Sequence, residues 1–92
     1  MKLISAWSIR PGTRQEAVNR FLSGGGMPPS GVALLGRWHK ADASGGFSLF
    51  ETSDAAALYT HAAEWSQFLD IQVSIVLEDG EAAPILAKIF TE

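Results

Sequence analysis

Apolar and polar residues alternate along four short stretches of this chain and recur at helical spacing along three others. Met1 to Ile9 reads as a strand, with Leu3, Trp7 and Ile9 on one face and Ile4 and Ala6 on the other. Arg10-Pro11-Gly12 punctuates its end. Thr13 then has the chemistry of a helix N-cap, and Glu16 three residues on predicts a capping box. Ala17, Val18, Phe21 and Leu22 form one apolar stripe, and Gly24-Gly25-Gly26 stops the helix. Met27 to Gly31 contains Pro28 and Pro29 and is predicted to be loop.

Val32 to Lys40 and Phe47 to Thr52 are predicted as strands joined by the turn-forming stretch Ala41 to Gly46, hence an antiparallel hairpin. Ser53 or Thr52 is expected to cap the next helix, with Asp54 in its first turn. Leu58, Ala62 and Trp65 mark its buried stripe, widened by Ala55, Tyr59 and Phe68. A fourth strand, Ile71 to Leu77, sets Ile71, Val73, Ile75 and Leu77 against Gln72, Ser74 and Val76. After Asp79-Gly80 the spacing of Ile85, Leu86, Ile89 and Phe90 predicts a C-terminal helix, in which Pro84 fits best in the first turn.

The predicted order β-α-β-β-α-β, followed by a helix, is a ferredoxin-like α+β arrangement with a four-stranded antiparallel sheet. Both central helices then cover one sheet face. Apolar residues remain on the opposite face in the first three strands, and a bare patch of that kind is rare on a monomer. A homodimer through the sheet face is the expected way to cover it.

Length and composition sharpen this picture. Ninety-two residues make a single domain, 1–92, with a small core and no cysteine to staple it. With 47% hydrophobic residues, a core shared with a second copy is affordable. Seven basic residues stand against ten acidic ones, a net charge of −3, and the cations are scattered. Nucleic acid, which is gripped by clustered cations, is not expected as a partner. The apolar stretch Leu3 to Trp7 is too short for a signal-peptide core, and none approaches the ~20 residues that cross a bilayer, so no membrane partner and a cytoplasmic location are expected.

Several stretches carry a family resemblance: the first strand leading into Arg10-Pro11-Gly12, then Leu34-Leu35-Gly36-Arg37-Trp38-His39, then Phe47-Ser48-Leu49-Phe50-Glu51-Thr52, and Trp65-Ser66 through Leu69-Asp70. On these the chain resembles the DUF3303 family of the dimeric α/β-barrel superfamily, across nearly its whole length. The resemblance implies two sheets closing into a barrel with the helices outside. It carries no established reaction. The superfamily includes cofactor-free monooxygenases of aromatic polyketides, haem-degrading enzymes, muconolactone isomerases and ligand-sensing regulator domains, and so many chemistries on one fold select none.

Candidate chemistry centres on the hairpin. Arg37 and His39 share a strand face, and Glu51 joins them if paired residues across the hairpin have numbers summing to an even value. Such a trio would bind an anion or move a proton through His39. The plainer alternative is an Arg37–Glu51 ion pair beside a hydrogen-bonded His39. Trp7, Trp38 and Tyr59, with Trp65 and Phe50, are candidate walls for a flat ligand; packing alone is the competing account. His61 and Glu64 share a helix face, but two histidines and no cysteine make a poor metal set, so neither metal nor cofactor is expected. Gly24 to Gly26 lacks the lysine and spacing of a phosphate loop, and no serine sits in a Gly-x-Ser-x-Gly elbow. The expected function is a homodimeric small-molecule-binding domain with Trp7, Arg37, Trp38, His39, Glu51 and Tyr59 around the ligand. The alternatives are a non-catalytic structural or regulatory oligomerisation module, and a cofactor-free monooxygenase- or isomerase-like enzyme.

Overall fold

A computed structural model describes residues 1–91. β1 (Lys2–Ile9), with apolar side chains on both faces, holds a central place in the sheet. The helix α1 (Arg14–Arg20) follows, prolonged by a π-helical turn over Phe21–Gly25 that ends where Gly24 adopts φ +94°. Then come β2 (Val32–His39), β3 (Gly45–Thr52), α2 (Ala55–Trp65), β4 (Leu69–Val76) and α3 (Asp79–Phe90). All pairings are antiparallel and the strand order is β2-β3-β1-β4, the ferredoxin-like α+β arrangement.

Two strands start earlier than their apolar alternation implies. Gly45 and Gly46 pair with Ser8 and Trp7, while Leu69 and Asp70 pair with Ile9 and Ser8. Ladder hydrogen bonds on both sides of β1 extend the neighbours beyond their own β-prone residues. The connecting turn is closed by Asp42, whose carboxylate accepts from the Ser44 backbone N–H at 3.0 Å and from its hydroxyl at 2.7 Å.

Both caps differ from expectation. The Thr13 side chain makes no capping bond; its hydroxyl lies 2.9 Å from the Arg10 carbonyl and 2.8 Å from that of Phe68, tying the end of β1 to the start of β4. The tertiary acceptor outcompetes the local donor, and the Thr13–Glu16 capping box is absent. Asp54, not Ser53 or Thr52, caps α2, accepting from the Ala57 N–H at 3.1 Å. Thr52 instead receives the Asp54 N–H at 2.9 Å and donates to the Gly31 carbonyl at 2.8 Å.

Leu3, Val32, Phe50 and Leu58 form one buried cluster, and Ala17, Trp65, Phe68 and Leu69 a second. The helix-facing side of the sheet thus has two small cores rather than one. On the other side Ile4, Trp38 and Phe47 are exposed. α3 buries none of its residues, and Ile85, Leu86, Ile89 and Phe90 are all open to solvent. It runs through Pro84, which falls in the second turn and forgoes one backbone bond. The molecule spans 55 Å with a radius of gyration of 15.7 Å; about 13 Å is usual for a compact 100-residue domain. Among the described residues no helix is long and apolar enough to cross a membrane.

Candidate functional site

A β-bulge determines what faces the helices. Leu34 pairs with Phe50, but the next pair is Gly36 with Leu49, so Leu35 is an extra residue in β2. Beyond it Arg37 pairs with Ser48 and His39 with Gly46. The odd-numbered side chains Arg37 and His39 thereby turn to the side that Val32 and Leu34 occupy before the bulge.

The ladders align these residues in rows across the sheet. One row runs Leu34–Phe50–Leu3–Ile75 and another His39–Gly46–Trp7–Ile71. Between them lies Arg37–Ser48–Ser5–Val73, a polar row set into an apolar face. Above it is a cavity of about 330 Å³, roofed by Ala17, Val18 and Phe21 on one side and by Leu58, His61, Ala62 and Trp65 on the other. It takes its walls from both buried clusters and fills the space between them. That is a modest volume for a ligand site, with the usual mixture of apolar walls and a few converging polar groups.

The loop after α1 is clamped at the cavity's edge. Trp65 Nε1 donates to the Gly25 carbonyl at 3.0 Å, and the Arg37 guanidinium donates to that of Gly26. A Cβ at Gly26 would come within 3.0 Å of the Phe21 ring and 3.1 Å of Arg37, so the close approach of backbone to guanidinium needs glycine. The guanidinium also lies over the Phe21 ring, 5.4 Å from its centroid.

Ser5, Ser48 and His61, respectively 7%, 4% and 9% exposed, enter no side-chain hydrogen bond among the described residues. No buried side-chain N or O there lacks a partner, so their polar atoms are reached from the cavity. His61 stands edge-on to Phe50, with centroids 5.8 Å apart. Its pKa is lowered, first by burial and then by the positive charge of Arg37, against a smaller opposing pull from Glu64. Burial also lowers the pKa of Arg37. His39 is wedged between the rings of Trp7 and Phe21, each at 5.4 Å. No carboxylate lines the cavity. Its chemistry is that of an apolar slot with hydroxyls on the floor, an imidazole on the roof and one uncompensated cation at the side.

The structure gathers three of the sequence-predicted residues, Trp7, Arg37 and His39, at this cavity and parts them from the other three. Ala33 and Glu51 pair with an even sum, but the bulge makes the sums odd by Arg37. Glu51 therefore faces the other side of the sheet, 3.7 Å from the N-terminal ammonium, and forms no pair with Arg37. Trp38 lies on that same far side, 58% exposed, its ring folded over Gly36. Tyr59 is 76% exposed and does not line this cavity. Sequence reasoning passed over Ser5, Ser48 and the cavity position of His61. The signal was present: Ser5 interrupts the inward series Leu3, Trp7, Ile9, and His61 lies between Leu58 and Trp65 on the helix stripe.

Comparison with curated proteins and with solved structures returns no match. Residues 1–90 match the family described as Domain of unknown function (DUF3303), and with nearly the whole chain covered the protein belongs to that family.

Proposed function

We propose that this chain is a small-molecule-binding domain whose ligand occupies the cavity between sheet and helices. The cavity itself carries the reading: a preformed apolar slot onto which two hydroxyls and an imidazole open. Close packing would normally fill such a space. A thermal-shift screen with small aromatic and aliphatic compounds tests it. Ala62 lines the cavity, so Ala62→Leu fills part of it. The expected result is a rise in melting temperature for wild type that Ala62→Leu loses. Equal shifts in both proteins would place binding elsewhere and defeat the reading.

The same proposal includes a homodimer, in the cytoplasm, formed through the sheet face that carries Ile4, Trp38 and Phe47. Its support is the apolar character of that face and of α3, whose side chains find no cover within one chain. The exposure of α3 also favours a second reading, an oligomerisation module whose assembly is its function. Sedimentation of wild type and Trp38→Glu separates these ideas from a monomer. Wild type is expected at twice the chain mass and Trp38→Glu at the chain mass. Wild type sedimenting as a single copy at micromolar concentrations would rule out the dimer.

A further inference from the structure

We propose that the cavity selects a carboxylate: its ligand is a small aryl or alkyl carboxylic acid, bound as the anion with its head on Arg37 and Ser48 and its apolar body along Trp7, Ile71 and Val73. This rests on the binding reading above and adds the ligand's charge and orientation. Arg37 is half-buried, spends one N–H on the Gly26 carbonyl, and forms no ion pair among the described residues. Charged groups removed from water are normally paired. Its cross-strand neighbour Ser48 and the next residue in that row, Ser5, each offer an O–H to the cavity with no acceptor in the protein. Guanidinium and hydroxyl donors side by side suit the two oxygens of a carboxylate. The remaining walls are apolar, and none bears a negative charge that would repel the head. Volume limits the body to a compact ring system or a short chain.

The orientation follows from the rows. The donors lie toward β2 and β3, whereas β1 and β4 supply Trp7, Ile71 and Val73. Val73 is exposed, so the β4 end of the cavity, where the ligand tail lies, is open to solvent. His61 faces Arg37 from α2, with Glu64 on its own helix as the other charge acting on it. An anion on Arg37 removes the repulsion that disfavours imidazolium, so the bound acid draws a proton toward His61.

Calorimetry with 2-naphthoate and octanoate, each against its primary amide, tests the inference at neutral pH. At least one acid is expected to bind about tenfold or more tightly than its amide, the change a hydrogen bond to a charged group commonly carries. Naphthoate alone would mark an aromatic ligand, and octanoate alone an aliphatic one; either supports the proposal. Arg37→Gln should erase the preference for acid over amide. Should Arg37→Gln fail to fold, Ser48→Ala should lower the acid-to-amide ratio, and the His61 ring proton should titrate at higher pH with acid present but not with amide. Acid and amide binding equally well would overturn the carboxylate while sparing the cavity. Neither class binding to wild type at millimolar concentration would overturn both.

Discussion

Arg37 and Ser48 stand opposite each other across the β2–β3 ladder, both turned toward the helices, because one extra residue at Leu35 has reversed the parity of β2. Without that insertion in the count, the pairing of Ala33 with Glu51 would set Arg37 opposite Phe47, on the far face that Glu51 also occupies. With it, a guanidinium comes to lie in the same row as two buried hydroxyls and beneath a helix that brings His61. A single backbone irregularity thus separates a cation on the open sheet face from one held inside a cavity. Bulges commonly re-aim side chains in this way.

The two hydroxyls of that row should weaken the unliganded protein. Ser5 and Ser48 are nearly buried in an apolar face and meet solvent only through the cavity, so each retains part of the cost of leaving bulk water. Ser5→Ala and Ser48→Ala remove that cost with little change in volume. Each is expected to raise stability by up to about 1 kcal/mol in urea unfolding. A loss of 1 kcal/mol or more in both variants would mean that the hydroxyls hold the fold together, and their availability to a ligand would be refuted.

Most of the architecture is readable from period alone, since Leu3, Trp7 and Ile9 alternate and Leu58, Ala62 and Trp65 recur at helical spacing. The site is less readable. Gly36 inside β2 is the local sign of a bulge, but neither Leu34 nor Leu35 differs in polarity to show which of them is extra. Everything beyond the bulge depends on that choice, including the separation of Glu51 and Trp38 from Arg37. Thr13 shows another limit: a residue ideal for capping serves the Arg10 and Phe68 carbonyls instead, and Phe68 is 55 positions away. Long-range acceptors leave no trace in local sequence.

The caps allow a contrast between two acidic residues on different helices. Asp54 caps α2 through the Ala57 N–H, whereas Glu16 belongs to a capping box that does not form. Asp54→Ala should cost about 1 kcal/mol. Glu16→Ala, on an exposed helix face, should stay within about 0.5 kcal/mol of wild type. Chemical denaturation of the two variants measures both, and equal losses would show that the Thr13–Glu16 box operates in solution.

Gly45 is required by the β1–β3 contact rather than by its backbone angles. A Cβ there would collide with the Trp7 carbonyl and lie 2.8 Å from the Ser8 Cα, both rigid backbone atoms in the central strand. Gly45→Ala must push β3 away from β1 where the two begin to pair. A loss of about 3 kcal/mol is expected, at the upper end of overpacking costs. A melting temperature unchanged from wild type would show that the strands are spaced differently from this description.

The buried imidazole sets a pH dependence whose sign is fixed. His61 has a pKa below its ordinary 6.5 in the folded chain, through burial and the charge of Arg37. Above that ordinary value it is neutral in folded and unfolded chains alike and contributes no pH dependence. As the pH falls below 6.5 the unfolded chain takes up the proton first, so stability declines until the folded-state pKa is passed and then levels off. His61→Leu removes the titrating group while keeping an apolar contact with Phe50. The difference in stability between wild type and His61→Leu should therefore move against wild type as the pH is lowered from about 7.5 to 5.5. Denaturation curves of both proteins across that range read it directly. Parallel pH profiles would mean that neither burial nor the charge of Arg37 shifts His61 in the folded chain.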